Sequence, residues 1–191
     1  MKRLRTLAAG LAVALALAGV AASQPLALSS RAQVLVDAIS GDPSKVVCDL
    51  GKGEFGFTLL GLEEIHVERF VCSRINALAA DPRAVADLPD GSRTLFRTAL
   101  ALSILVHESW HLANHPDYGS EPWADCREIQ TSWAFAEFLG ADHATAVRLG
   151  LIGVQIHYLK VMINADYEDL VMCRPGGPWD LHPETAAWPI G

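Results

Sequence analysis

Apolar residues recur at helical spacing in five stretches of the chain. The stretch 29–41 (SSRAQVLVDAISG) begins with serines and ends with glycine, which predicts a short helix. The stretch 70–91 predicts a helix that breaks between Asp81 and Pro82, followed by a short turn that ends before Pro89. Longer helices are predicted over 92–113, 120–140 and 141–163, although Gly150 and Gly153 weaken the last.

Three short runs between the first two helices follow a different pattern. KVVCDL (45–50), EFGFTLL (54–60) and EEIHVER (63–69) are rich in branched and aromatic residues and are separated by glycines. The pattern predicts two or three strands of a small antiparallel sheet. The helix over 92–113 is almost uncharged after Arg97 and apolar on nearly every face, which is typical of a helix at the centre of a domain. We therefore predict an α+β, mainly α fold in which the sheet and the other helices pack around this central helix.

The N-terminus has the three regions of a secretory signal peptide. Basic residues at positions 2, 3 and 5 precede an apolar run over 7–20, and the small residues 21–23 follow it. The run is short for a membrane span. We therefore expect a signal peptide over 1–23, a single domain over 24–191, and a protein that is secreted or held in the cell envelope without stable membrane insertion after cleavage.

Charge and cysteine content narrow the choice of partners. Removal of the three basic residues of the signal would change the formal net charge from −7 to about −10. An acidic surface repels phosphate backbones, so nucleic acid is not an expected partner. The four cysteines of an exported chain predict two disulfides. Of the three possible pairings we favour Cys48 with Cys72 and Cys126 with Cys173.

The central helix carries the pattern His-Glu-x-x-His at residues 107–111. Residues four apart lie on one helical face, so the imidazoles of His107 and His111 can converge on one ion. Neutral imidazoles suit zinc, and Glu108 can act as general base on a zinc-bound water. Two imidazoles and a carboxylate in an apolar helix would be costly to bury without such a role. The sequence therefore predicts one zinc ion per chain.

A catalytic zinc usually has a third protein ligand, and two family resemblances place it differently. The segment HESWHLANHPD (107–117) resembles the metzincin pattern, in which the third ligand would be Asp117; Asn114 stands where that pattern has glycine. The segment SEPWAD (120–125) resembles the gluzincin pattern. That resemblance implies Glu121 as the ligand and Asp125 as the acceptor of the other N–H of a ligand histidine.

A wider resemblance favours the second assignment. From about residue 60 onward the chain is similar to small secreted metallopeptidases of actinobacteria that resemble minimal gluzincins. The shared features are IHV (65–67) with Cys72, the His-Glu-x-x-His motif, Glu121 with Cys126, and LHPET (181–185) with Trp188 and Pro189. This resemblance implies a zincin-like fold and Glu121 as third ligand, with Asp117 as the alternative.

The activity that the resemblance implies is hydrolysis of peptide bonds in a peptide or protein substrate, by a chain expected to be a monomer. Tyr118, His157 and Tyr158 are candidates for stabilising the transition state, because Tyr and His have this role in zinc peptidases generally. The alternative is a secreted structural or interaction domain that binds zinc without turnover. The short chain favours that alternative, since larger gluzincins use a second lobe to form the substrate cleft.

Overall fold

The computed structural model describes residues 26–113, 117, 119–163, 170–174 and 176–181, so the expected signal peptide lies outside it. Three strands lie between the first two helices, and the remaining helices follow. The helices are α1 (Ser30–Ser40), α2 (Arg69–Ala80), α3 (Pro82–Ala86), α4 (Arg93–Trp110), α5 (Glu121–Phe138), α6 (His143–Ile163) and α7 (Leu170–Cys173). The strands are β1 (Lys45–Leu50), β2 (Gly56–Leu59) and β3 (Glu64–Glu68).

Capping residues fix where the longer helices begin. The side chains of Ser29, Ser92 and Ser120 each accept a hydrogen bond from a backbone N–H in the first turn of α1, α4 and α5. Gly41 ends α1 in the left-handed conformation, with φ 82°. The predicted helices are confirmed, except that α4 ends at Trp110 rather than Ala113.

The expected antiparallel sheet is wrong, because the sheet is mixed. Its strand order is β1-β3-β2; β2 pairs antiparallel with β3, whereas β1 runs parallel to β3. The connection between β1 and β2 passes through Gly53 and Phe55, which both have positive φ, and crosses the end of β3. Strand β3 therefore lies at the centre of the sheet, and its Ile65 and Val67 are fully buried. The apolar pattern identified the strands but not their pairing.

Helix α4 lies at the centre of the fold, as its composition predicts. It packs against α1, α2, α5, α6 and the sheet. Its residues from Ala101 to Ser109 are all buried, and they include His107 and Glu108. Helix α6 is long and apolar enough to span a membrane by composition alone, yet one side of it packs against α4 and α5. The mainly α part of the fold prediction is confirmed.

Two disulfides join elements on either side of α4. One links Cys48 in β1 to Cys72 in α2, and the other links Cys126 in α5 to Cys173 in α7. These are the pairs favoured from the sequence. The second disulfide and the side-chain amide of Gln130, which donates to the carbonyl oxygen of Trp179, hold the segment after α7 against α5. Disulfides of this kind are suggestive of an extracellular protein.

Candidate metal centre

Three side chains from two helices meet at the end of α4. His107 lies in the last turn of α4 and His111 is the residue that caps this helix, so both imidazoles share one face. Their Nε2 atoms are 3.1 Å apart. Glu121 approaches from α5, with Oε2 3.1 Å from His107 Nε2 and Oε1 3.5 Å from His111 Nε2. One ligand atom from each residue lies within 4.8 Å of the others.

The start of α5 explains how Glu121 reaches the histidines. The Ser120 hydroxyl accepts a hydrogen bond from the N–H of Trp123, and Pro122 occupies the first turn. Glu121 is therefore the first residue of the helix, on the side that packs against α4. Its side chain is 48% exposed, so the carboxylate faces both the histidines and solvent.

Asp125 lies one turn after Glu121 and contacts the other nitrogen of the same imidazole. Its Oδ1 is 2.7 Å from Nδ1 of His107, within ion-pair distance although the N–H does not point closely enough at the oxygen for a hydrogen bond. Asp125 is fully buried and also contacts two residues of α6: His157 Nδ1 at 3.2 Å and Lys160 Nζ at 2.9 Å. One carboxylate thus joins α4, α5 and α6.

The charges of the centre shift the ionisation of its members. Burial opposes a charged imidazole at His107, but Asp125 and Glu121 outweigh it and raise the pKa of His107 to about 9. Hydrogen bonds from His107 and His111 hold the pKa of Glu121 well below its usual range. Burial opposes ionisation of Asp125, yet its close contacts with His107 and His157 and the nearby positive charge of Lys160 lower its pKa. Both carboxylates are therefore ionised, and they favour a positive charge on His107.

Glu108 is the residue after His107 on α4, and strand β2 contacts its carboxylate. The hydroxyl of Thr58 in β2 lies 2.8 Å from Glu108 Oε2 and 3.0 Å from the Glu108 carbonyl oxygen. Gly56, two residues before Thr58, allows β2 to lie this close to Glu108 because it has no side chain. A Cβ at position 56 would lie 3.1 Å from Glu108 Cγ and 3.0 Å from Ile104 Cγ2. Strand β2 thus holds the Glu108 carboxylate in place.

A cleft of about 600 Å³ opens over these residues. His107, Glu108, His111 and Glu121 lie in its wall. Apolar side chains from three elements line most of the remainder: Phe57 of β2, Leu100 and Ile104 of α4, and Ile156, Leu159 and Ile163 of α6. Strand β2 lies at the edge of the sheet and lines the cleft as well. An extended, partly apolar ligand would fit this shape.

The structure brings some of the site residues predicted from the sequence together and leaves others apart. His107, His111 and Glu121 come together, and Asp125 and Glu108 adjoin them, whereas Asp117 does not belong to the group of possible ligands. His157 is 2% exposed and contacts Asp125, and Tyr158 is 55% exposed and does not line the cleft. Tyr118 lies outside the described residues, so its expected role stays a prediction.

Sequence reasoning missed three residues at the site. Lys160 lines the cleft and contacts Asp125, and it lies three positions after His157, which was singled out. That spacing places both side chains on one face of α6 and could have identified Lys160. Thr58 and Gly56 adjoin Glu108, but they lie far from it in the sequence, and no local pattern relates a strand residue to a helix residue.

Comparison with protein-family models, with curated proteins and with solved structures found no match to this chain.

Proposed function

We propose that this chain is a secreted zinc-dependent metallopeptidase, in which His107, His111 and Glu121 hold the metal. The observation that carries the proposal is the closeness of the three side chains: His107 Nε2 lies 3.1 Å from both His111 Nε2 and Glu121 Oε2, and Glu121 Oε1 lies 3.5 Å from His111 Nε2. Ligand atoms at about 2.0–2.1 Å from a tetrahedral zinc lie roughly 3.3–3.4 Å apart. The distances between these side chains are close to that separation, which supports the proposal of one zinc ion at this position.

The composition of the group also favours zinc. Two imidazole nitrogens and one carboxylate oxygen form the ligand set typical of a hydrolytic zinc site with one open position, whereas calcium and magnesium prefer oxygen ligands only. The contact of Asp125 with Nδ1 of His107 favours the tautomer whose Nε2 lone pair faces the other two ligands. A bound zinc ion supplies a Lewis acid that polarises a carbonyl group and lowers the pKa of water.

Glu108 would take the proton from the attacking water. Its carboxylate lies in the wall of the same cleft as the three ligands, and Thr58 fixes one of its oxygens. A general base positioned in this way contributes about 10²- to 10⁴-fold to the rate. The other oxygen of Glu108 would then pass the proton to the leaving amine.

The cleft offers a place for an extended peptide. In the described part of the chain β2 pairs only with β3, and its residues Gly56, Phe57 and Thr58 line the cleft together with Glu108. A peptide could hydrogen-bond along this edge as an additional strand and present its carbonyl group to the metal. Apolar side chains of the peptide would pack against the walls formed by α4 and α6.

The test is cleavage of a mixed peptide library by purified protein loaded with zinc. The proposal expects cleavage by the wild-type protein, and loss of about 10²-fold or more in Glu108→Gln with zinc still bound. Glu137→Gln, a substitution of a glutamate outside the cleft, is the matched control and should cleave normally. If the zinc-loaded wild-type protein cleaves no peptide, the chain is the zinc-binding interaction domain instead.

A further inference from the structure

We infer that Lys160 binds a carboxylate of the substrate next to an apolar side chain, so that the site acts on the carboxyl-terminal end of peptides. This inference rests on the proposed function and names its substrate class. Lys160 was not among the candidates from the sequence, and catalysis as described above does not use it.

The position of Lys160 relative to the metal ligands is fixed. Its Nζ lies 2.9 Å from Asp125 Oδ1, and the same oxygen lies 2.7 Å from Nδ1 of His107. Its side chain is 30% exposed and lines the cleft. The ammonium group therefore stands one carboxylate away from a metal ligand, and the Lys160 side chain lines the space that a substrate would occupy.

The charges in the cleft make Lys160 the natural partner of an anion. Among the described residues that line the cleft, one carries a permanent positive charge, namely Lys160. The acidic residues among them are Glu54, Glu108 and Glu121. A substrate carboxylate would be repelled by these glutamates and attracted by Lys160. An ammonium group has three N–H donors, so it can bind Asp125 and a second carboxylate together.

The surroundings of Lys160 indicate which kind of carboxylate fits. Ile156, Leu159 and Ile163 precede and follow it on α6, and all three line the cleft. A bound anion would thus lie beside an apolar wall, where charge interactions are stronger than in water. The last residue of a peptide carries a free carboxylate and a side chain on one Cα atom. An apolar terminal residue satisfies the ammonium group and the apolar wall together.

The test compares three peptides of otherwise identical sequence. The first ends in leucine with a free carboxylate, the second ends in leucine amide, and the third ends in glutamate amide. Their affinities are measured by calorimetry on zinc-loaded Glu108→Gln protein, which does not consume them. We expect the free acid to bind about tenfold or more tightly than leucine amide, the value of one hydrogen bond to a charged group. Equal binding of these two peptides would overturn the inference.

The same peptides are then measured with Lys160→Met and Lys160→Arg in the Glu108→Gln background. The methionine variant should lose the preference for the free acid, and the arginine variant should retain part of it. Lys45→Met, which removes an exposed lysine of β1, is the matched control and should keep the full preference. The ratio of two affinities in one variant is not altered by a loss of stability, so a purely structural role of Lys160 would leave the ratio unchanged and refute the inference.

The outcomes separate this inference from the proposed function. If wild-type protein cleaves free acid and amide equally well, the function stands and the role of Lys160 is wrong. If no peptide is cleaved but the free acid binds preferentially through Lys160, the carboxylate site stands and the peptidase proposal fails. Tight binding of glutamate amide would assign the carboxylate to an acidic side chain and overturn the terminal assignment.

Discussion

Asp125 lies 2.7 Å from Nδ1 of His107, whereas Glu121 contacts Nε2 of the same ring. The two carboxylates come from consecutive turns of α5 and hold the imidazole from both sides. Asp125 is fully buried, so this contact has little freedom to change. The orientation of His107 is therefore determined by α5 before any ion binds.

Asp125→Asn should weaken zinc binding by about 10- to 100-fold, because a neutral amide supports the His107 tautomer less well than a carboxylate does. Asp49→Asn is the control, since Asp49 contacts a histidine of the sheet rather than the metal centre. The measurement is zinc affinity by competition with a chelator of known affinity. Equal affinities for wild type and Asp125→Asn would show that Asp125 does not support the ligand.

Gly56→Ala should lower the rate of peptide cleavage and leave zinc bound. The added methyl group would lie 3.2 Å from Glu108 Oε1 and 3.0 Å from Ile104 Cγ2, so it would displace the carboxylate from its position. Gly119→Ala is matched to it, because Gly119 also lines the cleft but a Cβ there meets no atom within 4 Å. The rate constant and the zinc content of both variants are compared. Unchanged cleavage in Gly56→Ala would refute the placement of Glu108.

Glu128→Gln should make stability less dependent on pH. Burial raises the pKa of Glu128 above its ordinary 4.5, with Lys160 acting against the shift and Asp125 adding to it. The folded protein therefore retains a proton that the unfolded chain releases, and stability falls as pH rises from 4.5 through the folded pKa. The free energy of urea unfolding should fall over this range more in wild type than in Glu128→Gln. Equal changes would contradict the shift.

Glu137→Gln is the matched control for the Glu128→Gln experiment. Glu137 lies on the same helix but is partly exposed, so Glu137→Gln should follow the wild-type pH dependence. Glu128 is 1% exposed, and its Oε1 accepts a hydrogen bond from Ser132. A glutamine can retain the Ser132 contact without a charge. Stability at neutral pH should therefore rise in Glu128→Gln but not in Glu137→Gln.

The sequence predicted the helices well because their signals are local. Serine caps, Pro82 and the apolar period of each segment are read within one element. The parallel pairing of β1 with β3 depends on which strand takes the centre of the sheet, and this is decided by burial of Ile65 and Val67 against the helices. A strand pattern alone carries no information about its neighbour.

The candidate site also combines residues that local patterns predict with residues that only tertiary packing brings together. The convergence of His107 and His111 follows from helical spacing, whereas Glu121 and Asp125 were singled out by the resemblance of SEPWAD (120–125) to the gluzincin pattern. Our preference for Glu121 over Asp117 as the proposed ligand rests on the packing of α5 on α4, which brings Glu121 to the histidines. Lys160 and Thr58 reach the site from distant elements, so their contribution depends on tertiary structure.

Zinc content measured by native mass spectrometry tests the proposed centre most directly. We predict one zinc ion per chain in wild type, in Asp117→Ala and in Glu108→Gln. Glu121→Ala should bind zinc far less tightly and lose it on dialysis, because only two of the three ligands remain. Full zinc content in Glu121→Ala together with loss of zinc in Asp117→Ala would contradict the ligand set of His107, His111 and Glu121.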